Sequence, residues 1–475
     1  MSQLPTQSAL ARVQREGLSR RHFLRNLLFT AGSISTAHWL TACGRASFPA
    51  ERAGGGPAQS KFADIGPLQA ADANGIQLPE GFSSRVVAVF SEPPIASNPG
   101  FLWHSDPDGG ATFRTDDGGW IYVSNAEVRD FTSSGGLGGP PISREEAETL
   151  GQLGGGVGAL RFDAEGNLVD AYACQTGTTT NCSGGATPWG TWINGEEIAD
   201  GYMFECSPLR DGGAPVRLDR FGRKAHEMVA VDPDGRAIYH TEDFGDGDRF
   251  YRTRFDAADW PADGRPAMDR GVLQVMQVPD GIEAARLGPV PIVWLDAIDD
   301  GTPQRDVADQ VPSTVFAGNE GVWYLSGFVF FSTKSDDNIW AIDVAAGTVE
   351  SIYNPADGPI GSPVDPSEPP MAGVDNIAMT LDGEMLVVED GGDMRCMVLL
   401  PDRTTIPLLR LPGDPSVTEV TGVAIAPTGD RLYVSGQRSL RNGAPAAFRT
   451  GGITYEIQMP FSVRVDRPLA RALPT

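Results

Sequence analysis

One pattern recurs along the chain: a polar opening residue, an apolar strand, an Asp-Gly or similar turn, then a second apolar strand that often ends in an acid. "TFRTDDGGWIYVSNAE" ends at Glu127, "HEMVAVDPDGRAIYHTED" runs from His226 to Asp243, and "DNIAMTLDGEMLVVED" runs from Asp375 to Asp390. "NEGVWYLSGFVFFSTK", from Asn319, and "TGVAIAPTGDRLYVSGQ", from Thr421, share the shape without the acidic end, and "LRFDAEGNLVDAY" is a shorter relative at Leu160–Tyr172. Asp-Gly between alternating apolar runs is a strong hairpin signal. Six hairpins predict an all-β chain folded as a six-bladed β-propeller, because circular closure leaves few strand edges exposed. Paired β-sandwiches are the rival architecture. "SREEAETL", with Ser143 three residues before Glu146, reads as a capping box and predicts one short helical insertion. "GSPVDPSEPP" (Gly361–Pro370) reads as a proline-broken loop over the face that carries the site.

Composition agrees with this picture. Fifty-eight glycines and 37 prolines in 475 residues imply many turns and little long helix. A net charge of −25 disfavours nucleic acid and anionic membrane surfaces, although bound cations would reverse the local field and admit an anionic substrate.

The N-terminal 43 residues read as an export signal and lie outside the fold. "SRRHFLR" (Ser19–Arg25) has the twin-arginine pattern, and the apolar stretch after it is too polar to stay in a membrane. "LTACG" resembles a lipoprotein box with Cys43 as the acylated residue; a soluble periplasmic protein cut nearby is the alternative. Residues 44–75 read as a flexible tether, 76–462 as the propeller and 463–475 as a C-terminal tail. The expected location is the periplasm or cell envelope, with membrane contact only through that anchor and the protein a monomer.

In a propeller the innermost strand of each blade begins at the mouth of the central channel. The opening residues His226-Glu227, Asn319-Glu320, Asp375-Asn376 and Glu419 therefore converge there. Clustered carboxylates repel unless a cation lies between them, and oxygen-rich rings suit calcium. Acids at such strand ends also serve as ordinary turn formers and solvated caps. The acid pairs Glu196-Glu197, Glu242-Asp243 and Glu389-Asp390 end the second strands, and of these Glu197 and Glu242 are the preferred site members. Only three histidines (His104, His226, His240) follow the signal, too few for a convincing histidine zinc site.

The segment "TNCSGGATPWGTWINGEE" sets Cys182 shortly before Glu196-Glu197. A thiolate beside carboxylates suits a softer metal such as iron. A buried cysteine, or a disulfide with Cys174, is the competing expectation.

"NCSGGATPWGTWINGEE" resembles the cysteine-to-EE block of PhoX-type alkaline phosphatases. "GRKAHEMVAVDPDGRAIYHTEDFGDGDRFYR" and "VDNIAMTLDGEMLVVED" are similar to further segments of that family. The resemblance implies a six-bladed propeller with two irons and several calciums. On it, Cys182, Glu227 and Glu320 match the family's catalytic ligands, and Glu197 matches the second glutamate of its E-E pair. Glu242, Asp375 and Asn376 complete the expected metal set, the last two on calcium. The implied activity is hydrolysis of a small phosphomonoester. A non-catalytic calcium-stabilised propeller, or another calcium-propeller hydrolase such as a lactonase, is the alternative. Three departures stand out: Gly318 where a phosphate-holding arginine belongs, with Arg249 and Arg395 as possible substitutes; Gly195 in place of cysteine; and Ala126 in place of histidine.

Overall fold

Each channel-facing hairpin grows outward into a four- or five-stranded antiparallel sheet, giving six sheets in all. In this computed structural model, placements are described for residues 60–128, 148, 153–245, 247–262, 264–357, 363–439, 451–465 and 472–473. The export signal, Cys43 and most of the expected helix at Ser143–Leu150 lie outside the described residues. Short α-helical turns do occur at Ile282–Leu287 and Gln304–Val307, both in connections between strands.

The innermost strands are Pro107–Arg114, Asn181–Ala186, His226–Asp232, Asn319–Leu325, Val374–Met379 and Val420–Ile425. Each packs beside the next, and the last returns to the first, so the sheets form a closed six-bladed propeller. The ring is fastened by Ser83–Val89, which pairs with Ile453–Gln458 at the outer edge of the sixth blade. The first and last strands of the described residues thus share one sheet.

One hairpin sits elsewhere than its sequence suggests. Leu160–Tyr172 belongs to the outer pair of the first blade, Gly155–Phe162 against Leu168–Thr178. The sixth channel-facing hairpin is instead the cysteine segment, Asn181–Ala186 paired with Trp192–Glu196. Its glycines hide the alternation. A side chain at Gly184 would meet the Ile193 carbonyl at 2.1 Å, and one at Gly185 the Val229 carbonyl at 2.0 Å.

Apolar faces of adjacent blades interlock. Phe250 of the third blade stacks on Phe331 of the fourth at 4.3 Å between ring centroids, with Trp340 behind it. Burying a side chain of this size contributes about 1.5–3 kcal/mol. Polar pins cross two other seams. Trp192 Nε1 donates to Asn125 Oδ1 at 2.8 Å, and Trp120 Nε1 to Tyr433 Oη at 2.8 Å.

The tether and tail are shorter than expected. From Ser60 the chain is docked: Phe62 is fully buried, its ring 5.4 Å from that of Phe461. The end is held too, by Val463 N–H on the Gly429 carbonyl and Leu473 N–H on the Arg114 carbonyl. Apolar residues within both segments account for this; composition alone had hidden them.

Candidate metal centre

All six innermost strands carry the same irregularity. Two residues oppose one just inside a cross-strand pair, the first pair in five blades and the second, Thr421 with Ser435, in the sixth: Asp108-Gly109, Cys182-Ser183, Glu227-Met228, Glu320-Gly321, Asp375-Asn376 and Gly422-Val423. A β-bulge re-aims the side chain it displaces. The first bulge residue of the first five blades is therefore an acid or a thiol at the channel. In the sixth it is Gly422, where a Cβ would meet the Asp108 carbonyl at 2.5 Å.

The residue facing a bulge often secures the next blade. Asn125 donates to the Cys182 carbonyl at 3.2 Å, Thr241 to that of Glu320, and Ser332 to that of Asp375 at 2.7 Å. Gly195 faces the bulge of the second blade, and a side chain there would collide with His226 Cβ at 2.2 Å. The family's cysteine at that position has no room in this chain.

A second ring follows the partner in the pair that flanks each bulge: Glu127, Glu197, Asp243, Lys334, Asp390 and, in the sixth blade, Gly436 followed by Gln437. Ligand atoms of Cys182, Glu197 and Glu227 all lie within 4.8 Å of one another; so do those of Asp108, Glu127 and Cys182, and those of Asp375, Asp390 and Glu419. Cys182 thus joins two triads, as a bridging ligand would. Its free thiol, like those of Cys174, Cys206 and Cys396, forms no disulfide.

The electrostatics call for cations. Burial first, then Asp108, Glu227, Glu197 and Glu127, pushes the Cys182 thiol well above its usual range. Burial and the neighbouring Glu197 raise Glu227 in the same way, and burial lifts Asp375 to about 7. Glu227 Oε2 is buried without a hydrogen-bond partner among the described residues. One sulfur and several carboxylate oxygens, crowded and partly unsatisfied, fit a site for iron and calcium.

Not every expected residue meets there. Glu242 belongs to no triad and accepts from the backbone N–H of Arg249 at 3.2 Å. Register explains it: in each terminal acid pair the second residue reaches the channel, while the first turns back into its own blade. Glu196 likewise takes the N–H groups of Thr179 and Tyr202, and Glu389 takes Arg395. The channel acid of the third blade is Asp243. Asn376 positions its neighbour, donating to Asp375 Oδ1 at 2.8 Å and accepting from Gly422 N–H at 3.0 Å. Glu320 Oε1 lies 2.5 Å from Lys334 Nζ. His226 points away onto the Gly222 carbonyl, and burial drives its pKa well down, so it is a neutral structural residue.

Neither substitute arginine reaches the channel. Arg249 binds Asp309 and Ser313, and Arg395 binds Glu389 and the carbonyls of Pro369 and Pro370. Sequence reasoning also passed over Asp108, Lys334 and Gln437. Gln437 Nε2 donates to Asp108 Oδ2 at 2.6 Å and also to Glu127. Asp108 sits in "SDPDGG", which reads as a turn, yet it fills the same place in its blade as Glu227 does in its own.

The fold is a six-bladed propeller whose channel is ringed by carboxylates and one thiol, groups that could hold metal ions. The profile of the family described as Alkaline phosphatase PhoX matches residues 142–201 and 199–350. Among solved structures, Pseudomonas fluorescens PhoX in complex with vanadate, a transition state analogue, superposes with a TM-score of 0.64 at 16% identity. That match covers 83% of this chain and 97% of the other. The profile match supports the PhoX-type family that the motifs resemble, and the structural match shows its fold. A luciferin-regenerating enzyme (11% identity, 78% of this chain and 96% of that one, TM-score 0.40) is too distant in shape to carry an argument. So is regucalcin from Agrobacterium tumefaciens (11% identity, 83% and 97%, TM-score 0.40). No curated protein matches the sequence. Among the described residues no helix is long and apolar enough to cross a membrane.

Proposed function

We propose that this chain is an exported, metal-dependent phosphoesterase of PhoX type, acting as a monomer on a small phosphomonoester. The observation that carries the reading is Cys182 shared between two triads of potential ligands drawn from three separate segments of the chain. On this reading Cys182, Glu197 and Glu227, with Asp108 and Glu127, hold iron, and Asp375, Asp390 and Glu419 hold calcium. The metals supply Lewis-acid polarisation of the phosphoryl group and a hard seat for its oxygens. The chain's own part is to fix these donors on bulged strands at the axis. Asn376 and Gln437 orient two of the carboxylates, so little reorganisation remains when substrate arrives. The twin-arginine motif and the Cys43 box support delivery as a cell-envelope lipoprotein.

Gly318 favours a second reading, a metal-stabilised propeller that binds without hydrolysing, because a bidentate phosphate clamp is missing at that position. One experiment separates the two. The exported protein is analysed for metal content and assayed with a chromogenic phosphomonoester before and after chelation. Iron with calcium, and activity lost on chelation and restored by calcium, is the expected result. Calcium without iron and no turnover would establish the binding reading.

A further inference from the structure

Lys334 stands in a place that is acidic in four other blades. It follows the first cross-strand partner of the fourth blade, as Glu127, Glu197, Asp243 and Asp390 do in theirs. Its ammonium lies 2.5 Å from Glu320 Oε1, 3.1 Å from Asp390 Oδ2 and 3.3 Å from Asp243 Oδ2. Asp243 and Asp390 are its neighbours in the ring, and Glu320 is the bulge residue of its own blade. Three N–H donors face three carboxylates from three blades, so the ammonium has no donor left over. Three converging carboxylates are also the donor set of a hard divalent cation.

We propose that Lys334 is a resident cation of the channel. Its ammonium occupies the corner between Asp243, Glu320 and Asp390 that a divalent ion would otherwise take. This rests on the reading of the channel as a metal centre and adds a boundary to it. Exchangeable metal is confined to the Cys182 side and to the Asp375–Asp390–Glu419 corner, where Asp390 is shared with the lysine. Glu320, expected from the family resemblance to be a metal ligand, is committed to Lys334. The backbone beside it fits the exchange. Gly318 has φ +64°, and its absent Cβ would lie 3.3 Å from Lys334 Cβ and 2.9 Å from the Ser335 nitrogen. The cationic side chain of this corner therefore comes from the second strand of the blade, and position 318 is closed to one.

The test counts calcium and iron per chain in the purified full-length protein, with calcium chloride titrated by calorimetry. Lys334→Met, which keeps the length and removes the charge, is expected to bind one calcium more than the wild type; Lys334→Arg should keep the wild-type count. An unchanged count in folded Lys334→Met overturns the proposal. Should Lys334→Met fail to fold, Asp243→Asn decides. The proposal expects no change in metal content, and loss of one ion would make Asp243 a ligand and refute it. The two readings fail separately. A wild type without divalent metal whose Lys334→Met form gains calcium removes the metal-centre reading and keeps the resident cation. A metal-loaded wild type with no gain in the variant does the reverse, and no binding by either form removes both.

Discussion

The Cys182 thiol and the Glu227 carboxylate occupy the same bulged position of adjacent blades, with ligand atoms within 4.8 Å of each other. Neither belongs to the packing between blades. Cys182→Ala should therefore strip iron and leave the fold in place. Iron per chain is expected to fall to near zero while the circular dichroism spectrum keeps its β signature. Full iron retention would remove the thiol from the centre.

Gln437 tests the outer support of that centre. Its amide holds both Asp108 and Glu127, and loss of such an orienting contact typically costs ~10–100-fold in metal affinity or activity. Gln437→Leu should weaken metal binding by about that factor with little change in thermal stability. A competitive chelator titration measures it, and unaltered affinity would contradict the assigned role.

Stability of the metal-stripped protein should fall as pH rises. Burial lifts Asp375 and Glu242 to about 7 each, and burial with Asp243 lifts Asp248 to about 8. In the unfolded chain these groups titrate near 4. Between about pH 4 and 8 these acids keep protons in the folded state that the unfolded chain has released. With Asp108, Glu227, Glu320 and Glu419 raised in the same way, they outnumber the buried histidines His104, His226 and His240, which pull oppositely, so unfolding becomes easier as pH rises. Thermal melts in chelator should show a lower Tm at pH 8 than at pH 5.5. Added calcium should raise Tm more at pH 8, where no proton competes for the carboxylates.

Gly318→Arg should destabilise and fail to restore a phosphate clamp. The position has φ +64°, and its Cβ would press on Ser335 at 2.8–2.9 Å. Left-handed backbone with a crowded side chain costs about 1–3 kcal/mol. Urea unfolding should show a loss of that size, and phosphomonoesterase kcat/KM should not rise.

Glu389→Ala should be among the most damaging single changes away from the channel. Arg395 and Glu389 are almost fully buried, with Nη2–Oε1 at 2.6 Å and Nε–Oε2 at 3.0 Å. Removing one partner strands the other charge, at about 3–5 kcal/mol. Glu389→Ala with Arg395→Met should recover much of the loss, since the buried charge leaves as well.

Five of the six channel hairpins were legible because hairpin turns and period-two alternation are local, and the outer hairpin at Leu160–Tyr172 stood in the count for the one that was missed. The grouping of Cys182 with Glu197 and Glu227 was implied by the family resemblance rather than by the hairpin pattern, and their ligand atoms lie within 4.8 Å of one another. Register was not legible. Whether Glu242 or Asp243 faces the channel depends on pairing with the other strand of the hairpin, where the bulge at Glu227-Met228 faces Thr241 and fixes His226 opposite Glu242. Lys334 was hidden for a related reason: "FFSTK" ends in a base, and only alignment of the strands in space shows that it fills an acid's place. Asp108 was masked by turn-like neighbours, and the second blade's hairpin by glycines that pack against backbone.

The strand Ser83–Val89 waits for Ile453–Gln458 before the circle can shut. The innermost strand of the first blade, which carries Asp108, packs against that of the sixth, Val420–Ile425, the last innermost strand in chain order. The circle shuts only when the last blade is in place, so a premature stop before Ile453 would leave the edge of Ser83–Val89 without its partner and the ring unfastened.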